Sequence, residues 1–326
     1  MRKISSLWVQ SVLVAATIVL SGASAQGADV PGLTTIRIVD AGQDVDAEAF
    51  YAQDLGIFKK YGINAEITLL RKGGGAASVA AIAGGAADVG EGDLVSASNA
   101  HQRGIPIALL APSGIFRASA PTTEVIVAKD SPIKSGKDLE GKAIALISPE
   151  GPSRIATNAW LESSGAALDK VSFIEVPPVN MAAAVEHGTV AAAVINEPAL
   201  VAATQSCCRV LANNFASIGN TWQLNVWYSS TDWVAKNPEL ARKFAQAIRE
   251  AAQWANQPAN HARSGEILSK YTPFPPALLA KMNRATFGET LDPKTMQPLL
   301  DAALKYKALR VAVPAQSLIS SAALTP

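Results

Sequence analysis

The chain has 326 residues, a formal net charge of +1, three histidines and two cysteines. That near-neutral balance, with no basic run, excludes the electrostatic footprint of a nucleic-acid or membrane-surface binder. The histidines His101, His187 and His261 are scattered, no C-x-x-C or H-E-x-x-H occurs, and the adjacent Cys207 and Cys208 cannot build a disulfide framework, so no metal and no cofactor is expected.

Arg2 and Lys3 precede an uncharged, mostly apolar run, Leu7–Leu20, and then Ser21-Gly22-Ala23-Ser24-Ala25. This order predicts a cleavable secretory signal cut after Ala25. The run falls short of the roughly 20 residues a membrane-spanning helix needs. The mature chain is expected to be free in a periplasm, with about one net negative charge once Arg2 and Lys3 are lost. It remains long enough for two ordinary domains.

From there strand-like and helix-like pieces alternate. "TIRIVD" (Thr35–Asp40) reads as a strand. "AEAFYAQDLGIFKKYG" reads as a helix with Ala49, Phe50, Leu55 and Phe58 inward, interrupted at Gly56 and ended by Gly62. Ala65–Leu70 is the next strand, and Gly73-Gly74-Gly75 opens a small-residue helix to Ala83. "AADVGEGD" gives a short strand and turn before a helix over Leu94–Arg103, and "IPIALLAP" another strand. This rhythm predicts a mostly parallel sheet covered on both faces.

The rhythm restarts at Glu124–Ala128. Strands are predicted at Ala143–Ile147, Val171–Val176, Ala191–Asn196 and "CCRVLAN", with helices over Pro152–Ser164 and Asn180–His187. On a strand Cys207 and Cys208 would point to opposite faces, as two separate thiols; a vicinal disulfide would be strained. "TWQLNVWYSS" reads as one long strand, and everything beyond Asp232 as helix broken by Pro238, Pro258, Pro273 and Pro293. In "NPELARKFAQAIREAAQWANQ", Leu240, Phe244, Ala247, Ile248, Ala251 and Trp254 recur at helical spacing, a packing stripe. Strand-like crossings near 121–128 and 222–229 would make residues 122–228 an insertion within a first domain of 34–121 plus 229–326.

Several stretches resemble one family: "FYAQDLGIFKKYGINAEITLL", "GGGAASVAAIAGGAADVGEGD", "VIVAKDSPIKSGKDLEGKAIAL" and "AAAVEHGTVAAAVINEP". Their order and spacing are similar to periplasmic solute-binding proteins of ABC importers, in the nitrate, taurine and aliphatic-sulfonate branch related to thiamine-pyrimidine binders. The resemblance implies a type II periplasmic-binding-protein-like α/β fold of two lobes joined by two crossing strands. It further implies a small solute held between the lobes, a membrane permease as partner, a monomer, and no catalysis. Two alternatives share the fold: a pyrimidine-synthase-like enzyme, whose cysteine-rich motif is lacking here, and a ligand-sensing subunit of a receptor.

In open α/β sheets ligands sit beyond the carboxyl ends of the strands, where helix N-termini offer unpaired N–H groups. The candidates in this chain are Gln43 and Asp44 after the first strand, Gly73, Gly74 and Gly75 after the second, Glu91 and Asp93 after the third, and Ser113 after the fourth. Ser153 and Arg154 open the helix of "SPEGPSRIATNAW" on the other side, joined by Asn196, Glu197 and, for stacking, Trp222. Pro152 suits the first helical position. Arg154 could hold a sulfonate or carboxylate with two hydrogen bonds, or form a surface ion pair. Asp93 also suits a helix cap, Asn196 and Glu197 a hinge tie, Arg117 a hinge salt bridge, and Trp222 the core. Glu91 in a cleft would repel a bare anion and favour a solute carrying an amine or hydroxyls, taurine over nitrate.

Overall fold

The computed structural model describes residues 32–70 and 74–324. The expected signal segment, its cut after Ala25, and Gly73 lie outside these residues.

The first sheet is built from β1 (Thr34–Asp40), β2 (Ile63–Leu69), β3 (Val89–Asp93) and β4 (Ile107–Pro112), with β12 (Asn225–Ser230) inserted, in the order β2-β1-β3-β12-β4. β1 runs parallel to β2 and β3, while β12 is antiparallel to β3 and β4. The crossovers are α1 (Glu48–Asp54) with α2 (Ile57–Lys60), α3 (Gly74–Ala83) and α4 (Leu94–Gln102). Gly56 has φ +73°, a left-handed conformation that glycine adopts without strain, and it splits the expected first helix into α1 and α2. Ala49, Phe50 and Phe58 are buried as the periodicity predicts, and Leu55 is half-buried against the same core.

The second sheet, ordered β10-β6-β9-β7-β8, contains β6 (Thr123–Ala128), β7 (Ala143–Leu146), β8 (Ser172–Glu175), β9 (Ala192–Asn196) and β10 (Cys208–Ala212). Its helices are α5 (Pro152–Ser163), α6 (Pro178–Glu186) and α7 (Ala199–Ser206). Every residue of β9 is buried, as a strand covered on both faces must be. Between the two large sheets lies a small antiparallel one, β11-β5-β13, made from Thr221–Gln223, Gly114–Arg117 and Thr286–Phe287.

Three expectations change. "TWQLNVWYSS" is two strands: β11 pairs with β5, and β12 turns at Leu224 into the first sheet. The region beyond Asp232 is not wholly helical, because β13 completes the small sheet. Cys207 caps α7 with helical dihedrals rather than starting β10. The two free thiols therefore lie with sulfurs 3.1 Å apart, not on opposite faces. Burial pushes the Cys208 thiol up to about 12.

The C-terminal segment supplies α8 (Thr231–Lys236), α9 (Pro238–Ala255), α10 (His261–Leu268), α11 (Pro276–Leu279) and α12 (Pro293–Lys305). Pro238 and Pro293 open helices instead of breaking them, because the first helical residue needs no N–H partner. Phe244, Ala247, Ile248 and Ala251 of α9 are fully buried, and Phe244 packs on Phe58 and Trp227. Among the described residues no helix is long and apolar enough to cross a membrane.

Candidate functional site

A cavity of about 100 Å³ lies where the carboxyl ends of the two large sheets meet. The first sheet contributes Gln43 and Asp46 after β1, Gly74 and Gly75 at the start of α3, and Glu91, Gly92 and Asp93 from β3. The second contributes Thr123, Ser148, Ser153 and Asn196, with the Gly151–Ser153 start of α5 at its edge. Asn196 Nδ2 donates to Gln43 Oε1 and so joins the two sides directly. A larger groove of about 570 Å³ lies between α4, α8 and residues 317–322 on the outer face of the first sheet. Its lining carries Arg242, His101 and hydroxyls of Thr231, Ser317, Ser320 and Ser321, and every lining residue comes from the first-sheet side of the molecule, none from residues 122–228.

Of the sequence candidates, Gln43, Gly74, Gly75, Glu91, Asp93, Ser153 and Asn196 line the cavity. Gly73 lies outside the described residues, and the remaining candidates are placed differently, which corrects their expected positions. Asp44 is fully buried and bonded to Arg284, whose Nη2 and Nε donate to Oδ1 at 2.7 and 3.1 Å. Ser113 Oγ lies 3.0 Å from both the Val45 carbonyl and Glu48 Oε2, beneath the turn after β1. Arg154 points away from the cavity and lies over the Phe173 ring at 3.8 Å, where burial lowers its pKa. Glu197 Oε2 accepts the Val201 N–H at 2.9 Å and so caps α7. Trp222 is wholly buried against Phe116 and Phe215, with Nε1 donating to the Phe215 carbonyl at 3.2 Å. Arg117 is exposed on β5 and forms no salt bridge among the described residues. Asp93 both lines the cavity and caps α4, accepting the Ser96 N–H and O–H at 2.8 and 2.7 Å.

Sequence reasoning missed Thr123 and Ser148 on the cavity wall, and also Asp40, Asp46 and Glu48, which cluster with the expected Glu91. Asp40, Asp46 and Glu48 are fully buried and Glu91 is 3% exposed. Asp40 Oδ2, Asp46 Oδ2, Glu48 Oε1 and Glu91 Oε1 have no hydrogen-bond partner among the described residues. Burial holds all four carboxyls well above the ordinary carboxylate range, and mutual repulsion adds to it: Glu48 on Asp40, Asp40 on Asp46, Asp46 on Glu48, and Asp46 on Glu91. The available signal was "DAGQDVDAE", where four acids fall within nine residues directly after a buried strand.

These groups fix the sign of the pH dependence. The folded state holds protons that the unfolded chain has already released, so stability falls as pH rises above the ordinary carboxylate range through the raised values. Glu197 behaves likewise, pushed up from 4.5 to about 7 by burial; that raise corresponds to on the order of 3 kcal/mol. The ligand-free protein is therefore expected to melt several degrees lower at pH 8 than at pH 5, and Glu197→Gln to flatten the slope between pH 5 and 7. Calorimetric melting across that range is the check, and a melting point that rises with pH would contradict it.

A family model described as NMT1/THI5 like matches residues 45–261. The nitrate/nitrite binding protein NrtA of Synechococcus elongatus is 25% identical over 173 residues, 49% of this chain and 38% of that protein, so the match spans well under half of the curated relative. The periplasmic aliphatic sulphonate binding protein SsuA from Escherichia coli superposes with a TM-score of 0.71 at 18% identity, covering 87% of this chain and 97% of that one. The periplasmic nitrate-binding protein NrtA from Synechocystis PCC 6803 gives a TM-score of 0.75 at 16% identity, covering 90% and 88%. At these identities the structural likeness shows the fold, the type II periplasmic-binding-protein architecture of two α/β lobes.

Proposed function

The chain belongs to the NMT1/THI5-like family, and from that premise we propose that it is the substrate-binding component of an ABC importer, a periplasmic receptor that closes on one small polar solute. The observation that carries this reading is the cavity itself, walled by strand ends and helix starts from both large sheets and bridged by Gln43 and Asn196. The inserted lobe begins near residue 122, and because β12 (Asn225–Ser230) belongs to the first sheet it ends before that strand, earlier than the expected 228. Sheet membership supports an entry between Arg117 and Thr123 and a return between Ala212 and Thr221. A secretory segment ending at Ala25 and a membrane permease that accepts the closed form complete the proposal, with the receptor acting as a monomer.

The reading is of binding without chemistry. Ser153 and Ser148 line the cavity, and among its described lining residues there is no histidine to pair with either hydroxyl. Closure follows from differential binding: groups from two lobes contact the solute together only when the cleft is shut.

The test uses the secreted chain and the low-molecular-weight fraction of a bacterial extract. A solute present at 100 times its Kd is expected to stabilise the fold by about 2.7 kcal/mol, read as a raised melting point, and small-angle scattering should show a smaller radius of gyration. Turnover of a small molecule, or no shift with any extract, would defeat the proposal.

A further inference from the structure

Nitrate and sulfonates are anions, and an anion receptor needs cations or an unopposed array of N–H donors. The cavity here has the opposite character. Among its described lining residues there is no lysine, arginine or histidine, and there are three carboxylates, Asp46, Glu91 and Asp93. Asp93 is committed to Ser96. Asp46 Oδ1 accepts the Gln43 N–H, but Asp46 Oδ2 and Glu91 Oε1 are buried without a partner, in residues that form the cavity wall. Asp40 Oδ2 and Glu48 Oε1 are likewise buried and unpartnered in the same acidic cluster. Of the wholly or partly buried cations, Arg284 is held by Asp44, Tyr51 and Ser264, and Arg154, next to Ser153, lies over the Phe173 ring with its Nε buried and unpartnered.

A buried, unpaired carboxylate is costly, so Asp46 and Glu91 keep their protons until a charge or donors meet them, and a bound cation takes the place of those protons. Two of them on one small cavity wall match a positive charge placed between them. The start of α5 at the cavity edge opposes this, since a helix N-terminus carries roughly half a positive charge. Half a charge does not offset two carboxylates. It does offer N–H donors to an acceptor atom elsewhere on the same solute. Asn196 Oδ1, also buried without a partner on the cavity wall, adds a further acceptor for a solute N–H.

Resting on the solute-receptor reading above, we propose that the solute is a net-positive organic cation, an ammonium, guanidinium or amidinium compound, whose protonated nitrogen sits between Asp46 and Glu91. Nitrate, sulfonates and the net-neutral taurine are then not its solutes. In this arrangement the charge supplies the partner the wall lacks, and specificity against anions comes from repulsion by the same two side chains.

The experiment separates the low-molecular-weight extract on a cation exchanger at neutral pH and follows the melting point of the whole secreted chain. 1,4-Diaminobutane, agmatine and benzamidine serve as defined cations, and taurine, ethanesulfonate and nitrate as controls. The stabilising activity is expected in the retained, cationic fraction, and its affinity to fall at least tenfold in Glu91→Gln and in Asp46→Asn. Both substitutions keep the shape, and Asn at position 46 retains an acceptor for the Gln43 N–H, which Asp46 Oδ1 now accepts at 2.5 Å; if one variant fails to fold, the other carries the test. Activity in the unretained fraction, or stabilisation by taurine, ethanesulfonate or nitrate, would overturn the cation while leaving the receptor intact. Arg71 and Lys72 follow Leu70 in the chain and lie outside the described residues. If anion binding appears and is lost in Arg71→Ala/Lys72→Ala, the chain's own cations answer the carboxylates and the proposal fails. No shift with any fraction removes the receptor reading and this inference with it.

Discussion

Replacing Arg284 with Leu is expected to destabilise the protein by about 3–5 kcal/mol, the cost of leaving a buried charge without its partner. The Asp44 carboxylate is fully buried and the Arg284 side chain only 8% exposed. Arg284 donates to Asp44 Oδ1 from two nitrogens, to Tyr51 Oη at 2.7 Å, to Ser264 Oγ at 2.7 Å and to the His261 carbonyl at 3.0 Å. The Ala285 N–H occupies Asp44 Oδ2 at 2.6 Å. One ion pair thus ties the turn after β1 to segments more than 200 residues later. That turn carries Gln43 and Asp46 into the cavity, so solute affinity should fall with stability. Urea unfolding measures the effect. The double variant Asp44→Leu/Arg284→Leu should recover much of the loss, because removing both charges also removes the desolvation penalty. An Arg284→Leu protein within about 1 kcal/mol of the parent, well below that range, would show that the network does not hold the turn.

Gly92→Ala is the second large effect. A Cβ at Gly92 would lie 2.7 Å from Tyr228 Oη and 2.9 Å from the Gly75 Cα. The second of these is backbone at the start of α3, so it cannot swing aside. The Gly75 Cα is itself held, because a Cβ there would lie 2.6 Å from Asp93 Oδ2. β3, β12 and α3 meet here at a distance that only glycine allows, and overpacking such a junction costs about 1–3 kcal/mol. The displacement falls directly on Glu91, Asp93 and Gly75, three cavity residues. Solute affinity is therefore expected to drop by more than the melting point alone suggests, at least tenfold by calorimetry. A Gly92→Ala protein that melts and binds like the parent would show that α3 can shift freely.

Much of the two-sheet architecture is readable along the chain. Strand–helix alternation located the sheets because burial on both faces demands continuous apolar runs, as in "AAVIN" of β9. The stripe on α9 was legible because helical periodicity records which face is covered. Gly74, Gly75, Glu91, Ser153 and Asn196 were found by one rule, that strand ends and helix starts converge at a cleft. The same rule failed for its neighbours. Arg154 adjoins Ser153, yet it turns to Phe173, because position at a helix start does not settle which way a side chain rotates. Trp222 went to the core, where Phe116 and Phe215 offered more apolar surface than a small polar cavity.

By itself, then, the sequence determined most of the elements of the two large sheets, their order, the family and the loops that border the cleft, since these depend on local pattern and on residues close in the chain, while the small sheet β11-β5-β13 came only from tertiary pairing. Which acids line the cavity and which are neutralised was decided only by the tertiary structure. Asp44 and Asp46 are two residues apart with similar surroundings in sequence, but Arg284, 240 positions from Asp44, reaches one and not the other. Charge pairing acts across a few ångströms of space, and the chain brings those ångströms together from segments that share no local pattern.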